Sequence, residues 1–362
     1  MPIDKVNEKL LSAIDKVQGI NDSAIEKING QTFGEATPTV HSPLWVAVGG
    51  NKLAYSTDAT PTGSWTEVSL AGVFSFKDLT FGKNGSGTDT WYGCSTSDSK
   101  AVGYSTDPTD AASWTVVNPP GSGGGTTIEY GATETLIMGR EHENYTIRRS
   151  TDFGVNWSDT TIQTGAGNSK ASDSLATDGD GVWLAGMGSL GIILKSFDDG
   201  INWYKSADLG NDKHIGLEYA NGVWVATEQG ETINICTDVG EDTATDSWTA
   251  ISPPVWARAA DSITHVTGST WMLGAARRNI YKSTDNAASW TDVTKLDNPA
   301  ATSAQTNNNP YSMASDGTSV VAVGRNGYIN VSTNLGSTWT IAHTMSSNQS
   351  LVAVEYNKVK PF

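Results

Sequence analysis

From about residue 44 onward, apolar and polar positions run in short alternating stretches, with few long helical runs. Upstream of residue 248, for example, the chain reads HIGLEYANG, VWVATEQG and INICTD, followed by WTAI. Runs of this length bounded by Gly, Asn and Asp are the signature of strands joined by tight turns. Four such runs make one unit, and comparable units follow one another along the chain.

One punctuation mark sets the period. It reads STDATPTGSW, STDPTDAASW, STDFGVNW, SFDDGINW, CTDVGEDTATDSW, STDNAASW and STNLGSTW, with the tryptophans 42–49 residues apart. Seven copies in register at a blade-sized interval predict an all-β, seven-bladed β-propeller of four-stranded blades. The residues that carry the pattern are Ser56, Asp58 and Trp65; Ser105, Asp107 and Trp114; Ser150, Asp152, Gly154 and Trp157; Ser196, Asp198, Gly200 and Trp203. They continue with Asp238 and Trp248, where Cys236 replaces Ser, then Ser283, Asp285 and Trp290, and finally Ser332, Asn334, Gly336 and Trp339, where Asn replaces Asp. Ser and Asp side chains suit bonds to turn backbone, Gly suits a positive φ, and Trp suits covering a joint between sheets. The reading of these aspartates is therefore structural and not catalytic. Copies one, two and five lengthen the Asp-to-Trp interval, as at 59–63, which a surface turn tolerates.

The pattern resembles the Asp-box, or BNR repeat, S-x-D-x-G-x-x-W, of sialidases, sortilin-type receptors and the photosystem II assembly-factor family. The resemblance covers residues 44–362 and implies the same propeller, at 41–362.

The first unit begins one strand late, because LWVAVGG at 44–50 corresponds to the second strand of later units, such as VWLAGMG. The tail SLVAVEYN at 350–357 matches a first strand with nothing after it. The two are expected to pair, which closes the ring and removes two sheet edges together.

Residues 1–40 are set apart as an anchoring or oligomerisation segment. They carry an 11-residue repeat, IDKVN at 3–7, IDKVQ at 14–18 and IEKIN at 25–29. This period fits a helix that winds with its copies into a right-handed bundle. Gly19 and Gly30 interrupt that pattern, so a segment that folds on docking and a helix packed on its own ring are the alternatives. The wording resembles the N-terminal segments of tailed-phage virion proteins.

The formal net charge of −16 argues against a phosphate backbone or an anionic membrane as partner. The first ten residues hold Asp4 and Glu8 and no apolar run of leader length, so neither a signal peptide nor membrane insertion is expected. Cys94 and Cys236 form no CxxC pair, and His41, His142, His214, His265 and His343 are scattered, so no metal site and no cofactor are predicted. The glycine run at 121–125 lacks the GK[ST] of a phosphate loop and reads as linker. Asp178 and Asp180 in TDGDG read as turn chemistry.

Sialidase chemistry would need an early arginine strand, whereas the first arginine of this chain is Arg140. Arg140, Arg277 and Arg325 each follow the second strand of a unit, in LIMGR, LGAARR and VAVGR, and mark a candidate anion- or partner-binding face. The alternative is that each makes its own salt bridge. With no recognisable catalytic set, the expectation is a non-enzymatic virion protein of a tailed phage, assembled in the host cytoplasm. Residues 1–40 would dock to other virion proteins or form a homo-oligomer, and the propeller would meet a host surface glycan or receptor. A soluble assembly-factor-like scaffold is the alternative, followed by a glycan-active enzyme.

Overall fold

The computed structural model describes residues 27–28, 31–32 and 42–358, apart from 98–99, 120–122, 132, 141–146, 164–171, 189–190, 211–213, 229–231, 241–243, 253–259 and 297–309. The side chains of 27–28, 31–32, 214–215, 260–261, 277 and 294–295 also lie outside the description. The chain divides into two compact units, Met1–Ser42 and Pro43–Phe362. In the first, strand Lys27–Ile28 pairs antiparallel with Gln31–Thr32, Lys27 opposite Thr32. At this point the repeat is extended and not helical. The rest of the expectation for 1–40 falls outside the described residues.

The second unit is a ring of seven four-stranded antiparallel blades. From the axis outward, blade 2 runs Asp78–Lys83, Asp89–Cys94, Val102–Ser105 and Thr115–Val117. Blade 3 runs Gly125–Tyr130, Leu136–Arg140, Ile147–Ser150 and Ser158–Asp159. Blade 4 follows with Ser172–Thr177, Trp183–Met187, Ile192–Ser196 and Asn202–Asp208. Blade 5 is His214–Ala220, Val223–Glu228, Ile233–Cys236 and Thr249–Ile251. Blade 6 is Ala260–Thr267, Thr270–Ala275, Asn279–Ser283 and Thr291–Lys295. Blade 7 is Pro310–Ser315, Val320–Gly324, Tyr328–Ser332 and Thr340–Thr344.

Blade 1 is assembled from both ends of the ring. Trp45–Gly49, Lys52–Ser56 and Thr66–Ser69 take Ala353–Tyr356 as their innermost strand, with Trp45 opposite Tyr356 and Val48 opposite Ala353. Asn357 tightens the joint: its backbone N–H donates to the Leu44 carbonyl at 3.0 Å, and its Oδ1 accepts from the Leu44 N–H at 2.8 Å. The expected pairing of 350–357 with 44–50 is thus the observed one.

The second strands explain why the blades stand together. Each is flanked by neighbouring blades on both faces, so it reads as a continuous apolar run and not as an alternation. Trp45–Gly49, Leu136–Arg140, Trp183–Met187 and Val320–Gly324 are buried at every position. The core is accordingly divided among the junctions. Among the described residues, seven apolar clusters each combine side chains of two adjacent blades, such as Val225 and Ile233 of blade 5 with Trp271 and Leu273 of blade 6.

Two departures from the plain pattern position side chains. The innermost strands of blades 3 to 7 shift register near their starts, for example between Gly125 and Thr127 and between Pro310 and Ser312. Such a bulge adds one residue at the mouth of the ring and re-aims it. On the outside, Thr161–Ile162 lies parallel to the outermost strand of blade 4, Thr161 opposite Asn202, making that sheet five-stranded. This strap covers an edge that would otherwise be open.

Candidate functional site

The innermost strands of all seven blades converge on an axial cavity of about 550 Å³. Among the described residues its lining is acidic, with Asp78, Glu129, Asp173, Glu218 and Glu355 beside Lys77. The three glutamates share one register position. Glu129 lies opposite Ile137, Glu218 opposite Val225 and Glu355 opposite Val46, each one residue before a tyrosine, in blades 3, 5 and 1. Asp78 is held by the next blade, because its Oδ2 accepts from Thr127 Oγ1 at 2.9 Å and from the Ile128 N–H at 3.1 Å. A second hollow of about 310 Å³ shares Glu218 and Glu355 with the first and extends past His265, Asn221 and Tyr356.

Of the three arginines, Arg140 and Arg325 have described side chains. Arg140 is buried; its Nε donates to the Gly123 carbonyl at 3.2 Å, and its Nη1 is 3.9 Å from Asp159, which also takes Arg148 Nε at 2.8 Å. Arg325 is exposed, and its Nε donates to the Tyr311 hydroxyl at 2.7 Å, beside the axial cavity. The side chain of Arg277 lies outside the described residues. No arginine is among the described residues that line either hollow.

The serine, aspartate and tryptophan positions form a repeated turn at the blade junctions. In blade 4, Ser196 Oγ donates to Asp198 Oδ1 at 2.8 Å and accepts the Gly200 N–H at 2.9 Å. Asp198 accepts the Asn202 N–H at 2.8 Å and Asn202 Nδ2 at 2.7 Å, and Trp203 Nε1 donates to the Gly200 carbonyl at 3.1 Å. Ser150, Asp152, Gly154 and Trp157 repeat this in blade 3, and Ser283, Asp285 and Trp290 in blade 6, with Ala287 in place of glycine. In blade 7, Asn334 Oδ1 accepts from Ser332 Oγ and from the Thr338 N–H, while Ser332 Oγ accepts the Gly336 N–H. Trp339 packs in the junction between blades 6 and 7.

The lengthened copies keep part of this scheme. Asp58 Oδ2 accepts from Ser64, the residue before Trp65, so the bond spans the insertion. Asp107 accepts from Thr109, and Ser113, the residue before Trp114, donates to the Asp107 carbonyl while its hydroxyl also meets that of Ser105. The fifth copy departs furthest. Asp246 takes a central place: it accepts the Gly240 N–H at 2.9 Å, Ser206 Oγ at 2.6 Å and Lys195 Nζ at 2.8 Å. Lys195 is fully buried and also donates to the Gly240 carbonyl, while Trp248 Nε1 donates to Ser206 Oγ.

Electrostatics follow from these bonds. Burial opposes the charges on Asp152 and Asp198, but hydrogen bonds from Asn156 and Asn202, with those from Ser150 and Ser196, outweigh it and hold both carboxyls below the usual range. For Asp285 the Ser289 hydroxyl and N–H act first, in the same direction. Burial pushes up Asp178, whose Oδ1 accepts the Asp180 and Val182 N–H groups in the expected turn. The Cys94 and Cys236 thiols are buried, and burial pushes both up. Among the described residues, no three of His, Cys, Asp or Glu are grouped to hold a metal, and no helix is long and apolar enough to cross a membrane. His41 and His142, and the side chain of His214, lie outside the description.

No protein-family model matches the sequence, and no curated protein is similar to it. The fold is similar to that of YCF48 bound to a D1 peptide, at 15% identity and TM-score 0.55, over 78% of this chain and 87% of that one. It is also similar to virginiamycin B lyase from Staphylococcus aureus, at 13% identity and TM-score 0.59, over 74% and 84%. A putative 6-phosphogluconolactonase from Bacteroides uniformis matches at 12% identity and TM-score 0.61, over 87% and 100%. At these identities the likeness is one of fold, shared by binding proteins and enzymes alike.

Proposed function

We propose that this chain is a non-catalytic binding scaffold that receives a segment of a partner protein at the axial cavity. The observation that carries the reading is the cavity itself, formed by all seven blades and lined, among the described residues, by five carboxylates and one lysine. Charge complementarity then favours a partner segment bearing Lys or Arg. The likeness to YCF48, solved with a D1 peptide, supports a peptide-binding use of the fold.

Titrating labelled basic, neutral and acidic peptides against the full chain tests this. The Glu129→Gln/Glu218→Gln/Glu355→Gln variant should lose affinity for the basic set, with a salt dependence weaker than wild type. Equal affinity of wild type and variant for every peptide would remove the cavity from the proposal.

The 11-residue repeat of 1–40 supports a second element, that this segment docks the propeller to a larger assembly such as a phage particle. Immunogold labelling of intact particles from the source tests it. Absence of label would favour a cellular scaffold.

A further inference from the structure

Six of the seven sheets use one continuous stretch of chain for their four radial strands, but the sheet of blade 1 joins 45–69 to 353–356 without a covalent link between them. The inner side of this joint is held by Leu44 and Asn357. The outer side is held by Glu67, on the outermost strand of blade 1. Its Oε1 accepts from the Ser346 N–H at 2.6 Å and from His343 Nε2 at 3.1 Å, and its Oε2 accepts from Ser346 Oγ at 2.7 Å. His343 lies in the outermost strand of blade 7, and Ser346 lies in the connection from that strand to the closing strand. Lys52, on the neighbouring strand of blade 1, is 3.7 Å from Oε2.

We propose that Glu67 is an acid-released latch on the joint where the two ends of the ring meet. A carboxylate can accept all three bonds at once; a carboxylic acid must give up at least one acceptor site to its own proton, and it loses its attraction to Lys52. The ionisable groups facing Glu67 among the described residues are those two, Lys52 from its own sheet and His343 from blade 7. Burial works against the charge on Glu67, but Ser346, His343 and Lys52 outweigh it and hold the carboxyl below its ordinary range. A depressed carboxyl adds stability above its unfolded pKa and loses it as pH falls through the folded value, so the latch opens on the acid side. The box carboxylates Asp152, Asp198 and Asp285 accept bonds within their own turns, and Asp78, Asp199 and Asp246 bridge blades that follow one another along the chain. Glu67 instead ties parts of the chain 276 to 279 residues apart, at the sheet that joins 45–69 to 353–356. With no short connection to hold those two stretches together once the bonds are lost, acid should open this joint ahead of the others.

Hydrogen–deuterium exchange on the full chain, corrected for intrinsic rates, tests the proposal between pH 7 and about pH 3. In wild type, protection across 345–357 and 45–56 should fall on acidification by about tenfold more than protection in blade 5. The Glu67→Gln variant should show raised exchange in these segments already at pH 7 and lose most of the acid step. Ser346→Ala, which removes one bond and keeps the charge, should lie between the two and serves if the first variant folds poorly. An undiminished acid step in Glu67→Gln, or equal loss of protection at all seven junctions in wild type, would overturn the latch.

Discussion

The carboxylate of Asp199 meets the guanidinium of Arg149 across the junction of blades 4 and 3, with Oδ2 2.8 Å from Nη2, while the Asp199 carbonyl accepts from Arg149 Nε. Thr133 and Thr135 of blade 3 and Trp183 Nε1 of its own blade donate to the same carboxylate. Asp199 occupies the variable position before glycine in the box and has φ +59. Asn286 fills that position in blade 6 with φ +58, and there it accepts from Trp271 Nε1 and donates to the Asn221 carbonyl of blade 5. The box therefore does more than close a hairpin: its middle reaches back to the preceding blade.

Asp199→Ala should cost about 2–4 kcal/mol in denaturant unfolding, because it strands a largely buried indole N–H and a guanidinium together. Asp199→Asn keeps a side chain that tolerates positive φ and should cost less. A double-mutant cycle with Arg149→Ala should return a coupling of about 0.5–3 kcal/mol. Strict additivity would mean that the two contribute independently.

Gly200→Ala should be destabilising by about 2–4 kcal/mol, because φ is +81 and a Cβ there would stand 2.4 Å from Ile137 Cδ1. Blade 6 suggests the remedy: Ala287 occupies the equivalent place with φ +67, and the apolar cluster around it contains Val225 at the position of Ile137. Gly200→Ala combined with Ile137→Val should recover part of the loss in a melting experiment. No recovery would indicate that backbone strain alone sets the cost.

Lys195→Ala should cost about 3–5 kcal/mol by leaving Asp246 without its cation in the junction of blades 4 and 5. Lys195→Met with Asp246→Leu should be much milder than either single change. Equilibrium unfolding of Lys195→Met, Asp246→Leu and the double variant decides whether charge removal or lost packing dominates.

Acid should weaken the box turns in a graded way. Asp198 titrates below the ordinary carboxylate range, so its contribution is complete above its unfolded pKa and falls away as pH drops through the lower folded value. The Asp198→Asn variant, which copies the Asn334 of blade 7, should start less stable at neutral pH and lose less between about pH 5 and pH 2. Parallel stability-against-pH curves for variant and wild type would contradict this.

The ring was readable because its signal is redundant. Seven tryptophans in register, each following a run of strands, leave little freedom, and the surplus strand at 350–357 had one vacant partner. What escaped was set by interactions between units. Asp199 stands at a position where the repeat shows no preference, and its role comes from Arg149 in the blade before it. In the fifth copy Cys236 removes the serine and the insertion brings in Asp246, a substitution visible only once Lys195 is placed opposite. The strap at Thr161–Ile162 is too short to announce itself as a strand. For the three arginines, position after the second strand was legible, but the burial of Arg140 against Asp159 was not.

The adjacency of Leu44 and Asn357 has a topological consequence. Because the ends of the ring are already hydrogen-bonded neighbours, a short flexible bridge joining 358 to 43 would ask for little rearrangement, and circular permutation becomes available. New ends cut into an exposed hairpin such as that at Ser86 would turn blade 1 into an uninterrupted strip and transfer the non-covalent closure to blade 2. The order of blades along the gene is then a historical choice, and the order around the axis is the physical one.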